Sequence, residues 1–284
     1  MFQAAHHTGH IELTPVFSLR KNEKPDIVKK IIHLSDLHVG HEDCGDNFRT
    51  IIDNIAFLKQ PAENYIVVIT GDIVDNANKS IQADEAIESI QLLEKLGYMV
   101  LPVPGNHDYG TGTRGDVKFV ELFKKKYYKI TGITYPKVDI IEGVAFIGLD
   151  STAEELQWFD RFLSEGELGH KQLQNLEKVI NDPEIAWLKK VVYLHHHPFD
   201  FKLGMHLRDS DELKKIIEYK IDALLFGHYH VQPSTAGKIF HGVWGIPRCY
   251  NAGTTTHKNG NPGFQRIIDL SNPDPRVDYD GNFI

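Results

Sequence analysis

Residues 65–75 read Tyr-Ile-Val-Val-Ile-Thr-Gly-Asp-Ile-Val-Asp. The apolar run 65–69 stops abruptly at Thr70-Gly71-Asp72. A short apolar run bounded by a turn signal reads as a strand buried on both faces. Such a strand would end in a sharp loop with one carboxylate, Asp72, at its tip. Buried parallel strands present binding groups from their C-terminal ends. Four other apolar runs end on similar residues. Residues 31–35 run into Asp36-Leu37-His38, and 99–103 into Gly105-Asn106-His107-Asp108. Residues 191–194 run into His195-His196-His197-Pro198, and 221–226 into Gly227-His228-Tyr229-His230.

The segments between these runs set the fold class. Phe48, Ile51, Ile52, Ile55 and Leu58 recur at helical spacing, which predicts a helix over 48–58. Ile81, Ile87, Ile90, Leu93 and Leu96 predict a second over 81–96, with Gly97 as its stop. Strand, helix, strand, helix, strand argues for an α/β layered fold with right-handed crossovers. Further on we expect a basic-faced helix over 119–128 (Lys124 to Lys126), a strand over 144–149 and helices over 167–180 and 209–219. Asp209 or Ser210 would cap the last of these. Residues 154–166, with Trp158, Phe159 and Phe162, read as an excursion from the fold. Residues 237–270 read as antiparallel strands and 271–284 as a loose tail. Residues 1–30 read as an arm or an extra strand, with His6, His7 and His10 solvated. No internal repeat or linker divides the chain, so 31–270 is expected to be one domain with two sheets.

Bulk properties narrow the function. Of 284 residues, 41% are hydrophobic and 25% charged, which suits a globular protein with a sizeable core. The net charge of −8 disfavours broad nucleic-acid binding, so no specific nucleic-acid partner is expected. Two cysteines far apart, Cys44 and Cys249, give neither a disulfide framework nor a zinc pattern. No apolar run approaches the roughly 20 residues of a membrane span. The N-terminus lacks the basic-then-apolar pattern of a secretion signal. A cytoplasmic location without membrane insertion is therefore expected. The sixteen histidines are numerous and clustered, and they need a cause.

That cause is read as metal. In Asp-x-His and His-x-His, residues i and i+2 of an extended backbone project to one side, so one strand end can offer two ligands. The donors are carboxylates, imidazoles and one carboxamide, without thiolate. That set suits Mn, Fe, Zn, Co or Ni.

The five blocks together resemble the calcineurin-like metallophosphoesterase superfamily. Within it, His196-x-Pro198, the Gly227 to His230 block and the stretch Gly148-Leu149-Asp150-Ser151 resemble the bacterial cyclic-nucleotide phosphodiesterase and glycerophosphodiesterase branch, as do Gly166-Glu167-Leu168 and Gln172-Leu173. The resemblance implies a two-sheet β-sandwich flanked by helices, an αββα architecture. It implies two metal ions, with manganese or iron favoured. One would be held by Asp36, His38, Asp72 and His230, the other by Asp72, Asn106, His196 and His228. His196 is preferred among its neighbours because it lies two residues before Pro198. Asp72 would bridge the ions, His107 would assist catalysis, Asp75 would support the ligands, and Asp108 would orient His107. The activity implied is hydrolysis of a small phosphodiester, with a cyclic nucleotide as one substrate, through in-line attack by a metal-bridging hydroxide. A phosphomonoesterase or a nucleotide or lipid-headgroup pyrophosphatase would use the same site. A nuclease is disfavoured by charge, and a non-catalytic scaffold by the full ligand set. Loops 109–116, 154–166 and 199–208 would select the substrate. The oligomeric state is left open.

Overall fold

A computed structural model describes residues 29–110, 134–152, 165–199, 206–230, 242–256 and 265–278, with backbone only at 17–19 and 279–281. In chain order the strands are β1 (Phe17–Leu19), β2 (Lys30–Leu34), β3 (Tyr65–Thr70), β4 (Met99–Val103), β5 (Lys137–Ile141) and β6 (Val144–Gly148). They continue with β7 (Lys189–Tyr193), β8 (Ala223–Phe226), β9 (Arg248–Asn251), β10 (Gln265–Ile268) and β11 (Tyr279–Gly281). The helices are α1 (Cys44–Ala56), α2 (Ser80–Lys95), α3 (His170–Ile180) and α4 (Ser210–Ile217). One sheet runs β1-β5-β6-β7-β8-β9 and the other β11-β10-β2-β3-β4.

The expected strand alternation becomes a layer structure. All six residues of β3 are buried. Ile66 and Val68 join a cluster with Phe146, Val191, Tyr193, Leu225 and Tyr250, drawn from both sheets. Tyr65, Val67 and Ile69 point the other way, onto Phe48, Ile51, Ile52 and Ile55 of α1. Strand β7 repeats this, with Val192 and Leu194 facing Leu173 and Leu176 of α3 and Leu213 of α4. Successive side chains of a strand point to opposite faces. A strand apolar throughout is therefore covered on both, here by a sheet on one side and helices on the other. The outcome is the expected helix–sheet–sheet–helix stack.

Several local expectations are corrected. Helix α2 turns its Ile81 edge outward, at 74% exposure, and Leu96 is 40% exposed. Its buried line is Gln82, Ala86, Ser89 and Leu93. This rotation lets Gln82 donate to the Gly40 carbonyl at 3.0 Å and accept the Asn76 amide at 2.8 Å. Helix α3 begins at His170 rather than 167. The Asp209 carboxylate accepts the Leu168 and Gly169 amides at 2.9 Å, and Gly169 has a φ of 78°. Asp209 thus ties two segments together instead of capping α4 with its side chain.

In the last third, β9 runs parallel to β8, and β10 is antiparallel to β2. Residues 271–281 are built into the fold rather than loose, because Asp278 anchors them. It accepts Arg248 Nε and the Asp269 amide, each at 2.9 Å, and the Tyr250 hydroxyl. The helix expected over 119–128, most of the 154–166 excursion and His6, His7 and His10 lie outside the described residues. Among the described residues no helix is long and apolar enough to cross a membrane.

The Asp278 carboxylate is 1% exposed and its Arg248 partner 4%. Asp278→Ala leaves a buried guanidinium without its counter-ion, so an unfolding cost of about 3–5 kcal/mol is expected. Chemical denaturation at pH 7 measures it.

Candidate metal centre

The polar blocks meet at the C-terminal ends of β2, β3, β4, β7 and β8. The backbone there is unusual. Asp36, His38, Asp72 and His228 have φ values of 52°, 44°, 50° and 70°. Non-glycine residues in this region are strained by roughly 1 kcal/mol or more each, and such strain concentrates at functional sites. Neighbouring backbone holds it in place. Asp36 N donates to Gly71 O at 3.0 Å and His38 N to Asp72 O at 2.9 Å. Gly105 approaches so closely that a Cβ would collide with the Asp72 carboxylate.

Asp72 sits in the middle. Its Oδ2 lies 3.4 Å from His195 Nε2, 3.7 Å from His38 Nε2 and 4.0 Å from His107 Nε2. Its Oδ1 accepts the His107 amide at 2.8 Å. On one side, Asp36 Oδ1 is 2.9 Å from His230 Nε2, and His230 Nε2 is 3.0 Å from His38 Nε2. Asp36 Oδ2 is held by the Ser35 hydroxyl at 2.5 Å and the His228 amide at 3.0 Å. On the other side, His195 Nε2 is 3.0 Å from Asn106 Oδ1 and 3.1 Å from His228 Nδ1. Asp36, His38, Asp72 and His230 form one ligand-competent group, and Asp72, His195 and His228 another.

The family model for calcineurin-like phosphoesterases matches residues 29–232. The chain belongs to the calcineurin-like phosphoesterase family. It is a metallophosphoesterase, a phosphoric ester hydrolase. An uncharacterized protein of Acanthamoeba polyphaga mimivirus is 25% identical to it, over 74% of this chain and 87% of the viral protein. A probable cyclic nucleotide phosphodiesterase of Coxiella burnetii is 23% identical, over 71% of this chain and 75% of its own length. Among solved structures, a dimetal phosphatase from Danio rerio aligns with a TM-score of 0.62 at 15% identity. That alignment covers 91% of this chain and 100% of the zebrafish one, and it shows the same fold.

The donor set of this phosphoesterase fits a pair of ions. Two ring nitrogens bound about 2.0–2.1 Å from one ion lie roughly 2.9–3.4 Å apart for bond angles of 90–109°. The His38–His230 and His195–His228 nitrogen pairs, at 3.0 and 3.1 Å, already have that spacing.

The electrostatics agree. Burial alone would raise the Asp72 carboxyl, but His195, His107 and His38 outweigh it and hold the group well below the usual carboxylate range. Asp36 is likewise lowered against its burial, by His230 and then His195. Burial opposes the charge on His195, yet Asp72 and Asp36 push it up to about 9. Burial, His195 and His230 take His228 down to about 3, although Asp72 and Asp36 pull the other way.

Two sequence expectations change. His195, not His196, faces Asp72, Asn106 and His228. His196 turns to Ser151, whose hydroxyl lies 2.8 Å from its Nδ1. The same hydroxyl accepts the amides of His195 at 3.3 Å and His196 at 3.0 Å. Counting back from Pro198 hid this, but strand parity reveals it. Val191 and Tyr193 face the inner layer with Ile66 and Val68, and two-residue steps lead from them to His195 and Asp72. His196 continues the outward line of Val192 and Leu194.

Asp108 does not orient the His107 ring. Its carboxylate accepts the amides of Ile73, Val74 and Gly105 at 2.9, 3.1 and 2.8 Å, stapling the Asp72 loop to the Asn106 loop. Burial and Asp72 push its carboxyl up to about 7 against those bonds. The His107 ring is set by the Asp75 carbonyl, 2.6 Å from Nδ1. The Asp75 carboxylate lies 3.6 Å from His38 Nδ1 and 3.8 Å from His41 Nδ1.

His195→Ala is expected to remove one of two bound ions, while His196→Ala keeps both, as read by elemental analysis of the purified variants. Metal uptake must also displace the His195 proton in the metal-free protein, since its folded value is raised to about 9. Affinity should therefore climb about tenfold per pH unit from 7 to 9 and then level off. The sign is opposite for the metal-free fold, where the stabilisation from charged His195 is full below the unfolded value and fades as pH rises through about 9. Calorimetric titrations at several pH values check both slopes.

Proposed function

We propose that this phosphoesterase hydrolyses a small phosphodiester, with a cyclic nucleotide as the substrate class to test first. The observation that carries the reading is the position of Asp72 Oδ2, between His38 and His195 of the two ligand groups. Asp36, His38, Asp72 and His230 would hold one ion, and Asp72, Asn106, His195 and His228 the other. Manganese and iron suit these nitrogen and oxygen donors. When bound, such a pair clamps phosphoryl oxygens and makes water a nucleophile at neutral pH.

The chain's own residues supply the rest. Hydrolysis joins a water oxygen to phosphorus and breaks one ester bond, and the departing oxygen then needs a proton. The Asp75 carbonyl can only accept, so His107 Nδ1 carries a hydrogen and Nε2 is left for this exchange. The His107 side chain is 17% exposed, whereas those of His38 and His195 are fully buried. It therefore sits where a leaving group could reach it, and it donates at Nε2. The Coxiella burnetii relative, described as a probable cyclic nucleotide phosphodiesterase, supports the diester and cyclic-nucleotide reading. The buried thiols Cys44 and Cys249 accord with a reducing cytoplasm.

With added Mn²⁺, bis(p-nitrophenyl) phosphate should be cleaved faster than p-nitrophenyl phosphate, and a chelator should abolish both. His107→Ala should keep both ions and lose about 10²–10⁴-fold in diester turnover. Faster monoester cleavage would overturn the diester assignment.

A further inference from the structure

The family match ends at residue 232, yet a later segment reaches into the centre. Ser35 N donates to Thr255 Oγ1, and Thr255 N to Ser35 O, each at 2.8 Å. The Thr256 hydroxyl donates to Leu37 O at 2.8 Å. Thr254 Oγ1 lies 2.6 Å from Thr256 O and 3.1 Å from Asp36 O. These contacts bracket Asp36 and His38, the two ligand-type residues whose φ values are 52° and 44°. From the same segment, Asn251 Nδ2 donates to Tyr229 O at 3.2 Å, between His228 and His230. Its Oδ1 accepts the Gly253 amide at 3.1 Å. Ala252 N donates to Phe226 O at 3.0 Å, and Gln265 Nε2 holds Thr255 O at 2.9 Å. Thr254, Thr255 and Thr256 are fully buried.

We infer that residues 251–256 form a positioning clamp for the Asp36, His38 and His230 half of the metal centre. The clamp grips both loops that supply this half. In the other half His228 shares the gripped 226–230 segment, but His195 is held differently, fixed by the Thr70 carbonyl at 2.7 Å and the Ser151 hydroxyl. The Thr256 hydroxyl acts on the Asp36 to His38 loop, which serves one ion, and this gives the clamp a signature that plain loop anchoring lacks. Loss of one hydroxyl should weaken one ion and spare its neighbour. The physical reason is that a buried Leu37 carbonyl without a donor pays its desolvation cost unless the strained Asp36 to His38 turn relaxes. Relaxation would move Asp36 Oδ1 and His38 Nε2 out of register with His230. This inference rests on the two-ion reading above.

The test titrates Mn²⁺ into metal-free wild type, Thr256→Val and Thr256→Ser by calorimetry. Amide hydrogen exchange of the three metal-free proteins runs alongside. Wild type should take two ions. Thr256→Val should keep one at wild-type affinity and bind the other about 10–100-fold more weakly. Thr256→Ser, which retains the hydroxyl, should restore both. In metal-free Thr256→Val, the His38 and Val39 amides should exchange faster while those of β7 stay protected. Two ions bound at wild-type affinity by Thr256→Val would overturn the clamp, as would joint loss of both ions with general loss of protection. Fewer than two ions in wild type would instead sink the two-ion reading. The clamp is then decided by exchange alone, where unchanged rates at His38 and Val39 overturn it.

Discussion

A carboxylate at 2% exposure cannot stay ionised unless positive charge surrounds it, and Asp72 is such a group. The loops around it answer that constraint. Three imidazoles, from three different loops, gather about Oδ2, and a backbone amide fixes Oδ1. In the metal-free protein the compensation is protonic, since Asp72 and Asp36 raise His195 far above its ordinary value. Metal ions would take over the same task, with neutral imidazoles as ligands. Proton and metal therefore compete for one pocket of negative potential, which is the general coupling of metal affinity to pH.

The scaffold exists to hold that arrangement under strain. Asp36, His38, Asp72 and His228 all sit in the left-handed region, and each would relax if its loop were loose. The loops are not loose. Asp108 staples the Asp72 and Asn106 turns, Ser35 and the His228 amide grip Asp36, and Ser151 supports the His195 turn. Behind them lie strands packed on both faces, a rigid platform that fixes side-chain direction by the pleat. Exposure alone does not divide the ligands from His107, since the His230 side chain is 22% exposed and that of His107 17%. What sets His107 apart is its anchoring, for the Asp75 carbonyl holds Nδ1 and leaves Nε2 toward a passing substrate.

The membership of this chain among calcineurin-like phosphoesterases was legible because its signals are local. An apolar run ending in a polar turn is a property of neighbouring residues, and so is Asp-x-His or His-x-His spacing. The errors came where neighbours do not decide. His196 looked like the ligand by its distance from Pro198, yet the pleat of β7 directs His195 inward. Ile81 and Leu96 kept helical spacing, yet α2 buries Gln82 because the Gly40 carbonyl and Asn76 amide need it. Residues 271–284 read as a loose tail, yet Asp278 has Arg248 to neutralise.

The sequence by itself determined the strand–helix order, the buried two-faced strands and the polar loops that end them. Each depends on composition and spacing within about ten residues. Only the tertiary structure decided which imidazole of three faces Asp72, which group holds His107, and that Thr254 to Thr256 touch the Asp36 loop. Those outcomes depend on contacts between residues as far apart as Ser35 and Thr255. Such pairs share no local signal. They meet because two sheets pack face to face and bring distant strand ends to one edge, where each buried donor must find an acceptor.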